Sequence, residues 1–280
     1  MTLFWAETCK TFSRWRTYIS FGVIVLVVTT TEIVMKLSGA EIVYRMTRSF
    51  QKDFLIVGNI LNAWFATAFI LNSLHFHIPF LITLVAGDMV SSEATSGTVR
   101  LLLIRPPSRQ RIITAKYLAT LFYTAGLVIF FALLCAFLGL ALFGSGDLIM
   151  HHYGRFDIVF IPEEEIFLRM LFAFAGAVWS MTVVASLAFL LSSLVENSIG
   201  PIIGTMAVVI VFLLFGNLPL DFFQNMKPYL FTTYMNLWQR FLDIPIPWDE
   251  IGNSTLILGL HNVGLFLIAL VVYGRKDIKS

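Results

Sequence analysis

Charge is scarce in this sequence. Only 13% of its 280 residues are Asp, Glu, Lys or Arg, while 58% are hydrophobic. Soluble domains carry about 25% charged and roughly 45–50% apolar residues. So little charge cannot cover a water-soluble globule, which excludes a soluble enzyme, a nucleic-acid-binding domain and a secreted disulfide scaffold. Cysteine is nearly absent. Cys9 precedes the first apolar run and Cys135 lies inside a later one, so the two are expected at different depths and unbridged. A Gly-x-x-x-x-Gly-Lys-[Ser/Thr] loop is missing, so the chain cannot cradle ATP phosphates in that way. No small-residue cleavage site follows the first apolar run, and no cleavable signal is expected. Histidines are few and dispersed. His75 and His77 point in different directions on a helix, and His151, His152 and His261 lie elsewhere. No metal site is assigned. Ser96 has no histidine placed to serve it, so no catalytic residue is assigned and the chain is not expected to be an enzyme by itself.

Long apolar runs are plentiful. Six are read as membrane spans, at about 18–35, 60–87, 112–143, 166–194, 199–218 and 254–273, each near or above the roughly 20 residues a bilayer needs. The predicted fold is an all-α membrane protein in one transmembrane domain, residues 1–280. Basic residues set its orientation. With the N-terminus inside, 11 bases and 5 acids fall on the cytosolic side, against 8 bases and 12 acids outside. Both termini are therefore expected in the cytosol.

Before the first span, Phe4, Phe12, Trp15 and Ile19 share one helical face and Lys10 and Arg14 the opposite one. This predicts a helix over 1–17 lying in the membrane interface, its bases near anionic headgroups, the alternative being a cytosolic extension of the first span. Residues 219–250 are dense in aromatics and interrupted by Pro228, Pro245 and Pro247. They predict short re-entrant helices at the outer interface before the last span. The second span is richest in polar groups. On one continuous helix Asn59, Asn62, Ser73 and His77 fall within about a 60° arc, a candidate substrate path or a set of helix–helix hydrogen bonds. A kink is expected at Pro79. Glu32, near the outer end of the first span, is expected to snorkel outward or to pair. Gly200 and Gly204 allow close helix approach, internally or between subunits.

The most informative segment joins the second and third spans: GDMVSSEATSGTVRLLLIRPPSRQRIITAKYL, residues 87–118. Thr98 to Ile104 can form amphipathic turns along the membrane, with Glu93 or Asp88 near Arg100. Pro106 and Pro107 set a rigid corner, and Ser108 is placed to cap the third span. Read from its residues, the segment is either a docking element for a soluble partner or an ordinary positive-inside loop in contact with headgroups. The segment resembles the membrane subunits of ATP-binding-cassette transporters of the type-2, exporter-like permease class. Their pattern here is Glu, Gly-Thr, Leu, a Pro-x-Ser-Arg run and a Lys, matched by Glu93, Gly97, Thr98, Leu102, Pro106, Ser108, Arg109 and Lys116. Pro107 departs from the usual aliphatic residue.

The resemblance implies a cytosolic coupling helix within 88–111, seated in a groove of a separate ATPase subunit. Glu93, Gly97, Thr98, Arg100, Leu102 and Arg105 would shape or make that contact, with Glu196 in a second, smaller one. ATP and magnesium would belong to the partner, and this chain would bind no cofactor. A second permease copy, or a related one, would complete a translocation path between first, second and fifth spans. The setting implied is a prokaryotic cytoplasmic (inner) membrane. The competing reading is a self-sufficient secondary transporter or channel. It would need intramembrane charges and inverted repeats, and the spans show almost no mid-depth carboxylates and no internal repeat.

Overall fold

In lipid, a run of about 20 apolar residues satisfies its backbone by becoming a helix. The chain is built mainly that way. The computed structural model describes residues 2–47, 60–73, 77–95, 108–151 and 158–275. Helix α1 (Thr2–Phe12) turns at Ser13 and Arg14 into α2 (Trp15–Thr47). The Thr17 hydroxyl donates to the Thr11 carbonyl at 2.5 Å and seals that turn. Two shorter helices follow, α3 (Ala63–Ser73) and α4 (His77–Ala86), then the five-residue α5 (Ser91–Thr95). The long α6 (Arg109–Phe143) leads to a β-hairpin, β1 (Leu148–His151) with β2 (Ile158–Ile161). Helices α7 (Glu163–Leu194) and α8 (Ile199–Asn217) come next, then α9 (Asp221–Met226), two 3-10 turns, α10 (Leu237–Arg240) and α11 (Trp248–Arg275).

Five of these, α2, α6, α7, α8 and α11, are long and apolar enough to cross a membrane. The expected continuous second span is instead two helices whose axes differ by 62°. The pair makes a sixth crossing only if it is one bent span. Pro79 does not mark the bend. It sits in the first turn of α4, where its missing N–H leaves no bond unmade. The hairpin also departs from a purely helical fold. Its strands pair antiparallel, Leu148 opposite Ile161 and His151 opposite Ile158. Asp147, just before it, accepts the Glu163 N–H at 2.9 Å and so caps α7, whose own N-cap residue is Pro162.

Helix α7 is the centre of the bundle. About 72% of its apolar window is buried inside the protein, against 17% for α8 and for α11. A polar chain ties it to its neighbours: Tyr117 and Ser186 hydroxyls lie 2.8 Å apart, Ser186 donates to Asn262, and Asn262 donates to Thr182. Such bonds hold helices together where lipid offers no competing water. The other faces of α8 and α11 leave Ile199, Ile203, Leu214, Leu256 and Leu260 exposed, a surface that fits a transmembrane protein.

The aromatic region over 219–250 forms the short helices its sequence predicts. Leu237, Trp238 and Leu242 are buried, and α10 lies so close to α7 that a Cβ at Gly176 would meet Phe241 at 3.0 Å and Trp238 backbone at 3.4 Å. Gly204 is likewise used within the chain, where an added Cβ would meet Leu191 of α7 at 3.1 Å.

Candidate functional site

The coupling segment is described at its two ends. Residues 96–107 lie outside the described residues, and with them Gly97, Thr98, Arg100, Leu102, Arg105, Pro106 and Pro107. Glu93 is described, on α5, one short turn beyond α4. Ser108 takes the N-cap position of α6 but makes no side-chain cap bond. The predicted cap is therefore only positional.

Glu93 lies in a buried ion-pair cluster that the local sequence did not foretell. Lys116, two turns into α6, is 1% exposed at its side chain. Its Nζ donates to Glu7 Oε2 on α1 at 2.8 Å and to Glu93 Oε1 at 2.6 Å. Lys10 of α1 donates to the same Glu93 oxygen. A neighbouring set repeats the pattern. Arg14 donates to Asp88 Oδ2 and to Ser92 Oγ, both at 3.0 Å, and Arg16 reaches Asp88 Oδ1 at 3.4 Å. Arg100, the expected partner of Glu93 or Asp88, lies outside the described residues; within them the two carboxylates meet bases from α1, the α1–α2 turn, α2 and α6. Lys10 and Arg14, the bases expected near headgroups, both pair with protein carboxylates, while their side chains stay 42% and 28% exposed. Trp15 also leaves the predicted aromatic face. The helix breaks before it and it is 72% exposed, while Phe4 and Phe12 pack edge-on against Phe122 and Tyr123 of α6.

Burial of the Glu93 carboxyl would raise its pKa, but the charges and hydrogen bonds of Lys116 and Lys10 outweigh it, leaving the group below the usual carboxylate range. Glu93 is therefore charged at neutral pH, and the cluster ties together three elements: α1, the α4–α5 junction and the start of α6. A fourth element supports it. Ser192, near the end of α7, accepts the backbone N–H groups of Val90 and Ser91 at 3.1 and 3.0 Å. Those are among the orphan donors of α5, so α7 caps α5 from outside. Glu7 and the capping role of Ser192 were not foreseen from the sequence, whose pattern pointed Lys10 toward headgroups and Asp88 toward Arg100. The available signal was Lys116, a cation two turns inside an apolar helix, which demands partners.

Glu196 sits exposed in the turn between α7 and α8, at the same end of the bundle. Asn197 beside it accepts the Gly200 N–H at 2.7 Å and starts α8. The end of α11 joins this face, where Arg109 donates to the Gly274 carbonyl at 3.5 Å.

The polar stripe of the second span does not survive the bend between α3 and α4, because its members no longer share one helix. Asn59 lies outside the described residues. Asn62 is buried and caps α3, its Oδ1 accepting the N–H groups of Trp64 and Phe65 at 3.1 and 3.0 Å. Ser73 ends α3 and His77, exposed, begins α4. Glu32 overturns its expectation more sharply. It does not snorkel, being 0% exposed, and among the described residues neither carboxyl oxygen has a hydrogen-bond partner. Among the described residues, no three His, Cys, Asp or Glu side chains gather as metal ligands.

The uncharacterized protein YhcI of Bacillus subtilis (strain 168) is 25% identical over 207 residues, covering 70% of this chain. The chain spans 63% of the length of that relative. The family model described as protein of unknown function (DUF2705) matches residues 23–279. That range is well over half of the chain and holds all of the cluster except Glu7, Lys10, Arg14 and Arg16; the chain belongs to this family.

Proposed function

We propose that the chain is the membrane subunit of an ATP-binding-cassette exporter, with ATP bound and hydrolysed by a separate subunit. One observation carries the reading. Glu93 and Lys116, the first and last residues of the coupling-loop pattern, meet as a buried ion pair at 2.6 Å. The intervening loop is thereby closed at its base, with both ends fixed to α1 and α6. A push on such a loop moves helices rather than dissipating in a flexible tether. In this reading the cluster end faces the cytosol of a prokaryotic inner membrane, in accord with the excess of bases there. Glu196 extends the docking face, and a second permease copy completes the path.

Replacing Gly97 and Thr98 together with aspartates tests this without touching the buried cluster. The ATPase retained by the purified permease should fall about tenfold or more, a loss of roughly 1.4 kcal/mol or greater in docking. Unchanged recruitment together with unchanged ATP-driven transport would end the coupling-loop assignment.

A second reading, an ion-driven transporter, draws on Glu32. A fully buried carboxyl within a span, without a hydrogen-bond partner among the described residues, is the kind of group that binds a coupling ion. The first reading leaves Glu32 out of the energy-coupling step, so the two predict different behaviour for its substitution.

A further inference from the structure

At the end of the bundle opposite the ion-pair cluster, a cavity of about 470 Å³ lies between the C-terminal end of α8, the 3-10 turns, α10 and the start of α11. This is within the range of roughly 300–1,000 Å³ that small-molecule sites occupy. Its walls differ in character. Phe212 and Leu213 of α8 give an apolar side, while Lys227, Asn236, Asn253 and Ser254 give a polar one. Arg240 and Glu250 also line it, but they neutralise each other at 3.0 Å, and Arg240 further reaches Asp243. Lys227 has no ion pair or hydrogen bond from its ammonium among the described residues, and the side chains of Asn236, Asn253 and Ser254 are equally unengaged. The cavity thus offers one uncompensated positive charge beside three uncharged hydrogen-bonding groups.

The turn that presents Lys227 is fixed. Thr233 Oγ1 donates to the Lys227 carbonyl at 2.7 Å and Tyr234 Oη to the Pro228 carbonyl at 2.9 Å. Gln239, also in the wall, is anchored to Asn72 of α3 at 3.1 Å. The segment around Lys227 exposes Leu220, Phe222 and Tyr229. Exposed aromatics of this kind sit at the boundary between headgroups and acyl chains. A molecule that reaches the cavity from that boundary is an amphiphile rather than a freely soluble solute.

We propose that this cavity binds an amphiphile whose anionic oxygen group, a phosphate or carboxylate, pairs with Lys227 while its apolar part lies along Phe212 and Leu213. Asn236, Asn253 and Ser254 donate to the remaining oxygens. The assignment stands on the cavity and the exposed aromatic segment beside it, and holds whether or not the chain works with an ATPase.

The test is native mass spectrometry of the full chain in a neutral maltoside detergent, titrated with short-chain phosphatidylglycerol. One lipid per chain should be retained. Lys227→Gln should weaken retention roughly tenfold, the size of a lost charge-assisted contact. Lys36→Gln removes one positive charge near the far end of α2 and α6, where Lys36 instead bonds the Leu142 carbonyl. It should leave retention unchanged. Both variants must elute as monodisperse protein, and a neutral diacylglycerol of equal chain length should not bind. Equal weakening by the two substitutions, non-saturating uptake, or equal binding of the diacylglycerol would overturn the site. Inorganic phosphate competing as strongly as the lipid would overturn the amphiphile assignment in favour of a soluble anion.

Discussion

Lys116→Met should be among the most damaging single substitutions in the chain. It leaves Glu7 and Glu93 buried without the cation that both contact at 2.8 and 2.6 Å. Removing one partner of a buried pair typically costs about 3–5 kcal/mol, because the remaining charge stays desolvated. In detergent this should lower the unfolding midpoint by roughly 10 °C. Lys10 still contacts Glu93, but its side chain is 42% exposed and water-screened, so it cannot replace the buried lysine. Adding Glu7→Gln and Glu93→Gln to Lys116→Met should recover most of the loss, since no uncompensated charge then remains. The acid dependence has a defined sign. Because Glu93 is held below its ordinary pKa when folded, its contribution is full above the usual carboxylate range. It fades as pH falls through the lowered value. The gap between wild type and Lys116→Met should therefore narrow in acid. A gap that stays under about 1 kcal/mol at neutral pH, the size of a surface pair, would show that the cluster is not buried as described.

Glu32→Leu should act in the opposite direction. Both oxygens of Glu32 are buried and lack a partner among the described residues. An unsatisfied buried polar group costs about 1–3 kcal/mol, and leucine removes that cost at similar volume. The unfolding midpoint should rise by several degrees, while Glu32→Gln, still polar and still buried, should gain less. Function separates the two transport readings at this residue. An ATP-driven exporter should keep transporting with Glu32→Leu, whereas an ion-driven one should stop. Lower stability in Glu32→Leu would mean that the carboxyl has a partner which the leucine cannot serve.

These two residues also mark where the sequence is legible and where it is not. Long apolar runs located α2, α6, α7, α8 and α11, because the bilayer demands length and uniform hydrophobicity and both can be read along the chain. The aromatic, proline-broken stretch before α11 was readable for the same reason. The bend between α3 and α4 was not, since Asn72, Ser73 and His77 suit a polar helix face as well as a break, and Pro79 pointed to the wrong place. The β-hairpin around Asp147 was hidden in a loop too short to carry a clear alternation. Within the candidate site, Glu93 and the loop pattern came from resemblance and local chemistry. The contacts that bring in the other members are distant in sequence: Glu7 and Lys116 are 109 residues apart, Lys10 and Glu93 83, Arg14 and Asp88 74, and Ser192 and Val90 102. Single-sequence periodicity carries no information on such tertiary pairs. Glu32 was misjudged because its position near a helix end suggested escape to water, whereas packing in the bundle closed over it.

Purification of the chain from its native membranes, after gentle crosslinking and with mass spectrometry of what accompanies it, bears most directly on the proposed function. The account predicts a stoichiometric soluble partner carrying a phosphate-binding Gly-Lys-[Ser/Thr] loop, crosslinked to residues 88–111 and present at one copy per permease. Recovery of the chain alone, folded and free of any such ATPase after crosslinking, would contradict it.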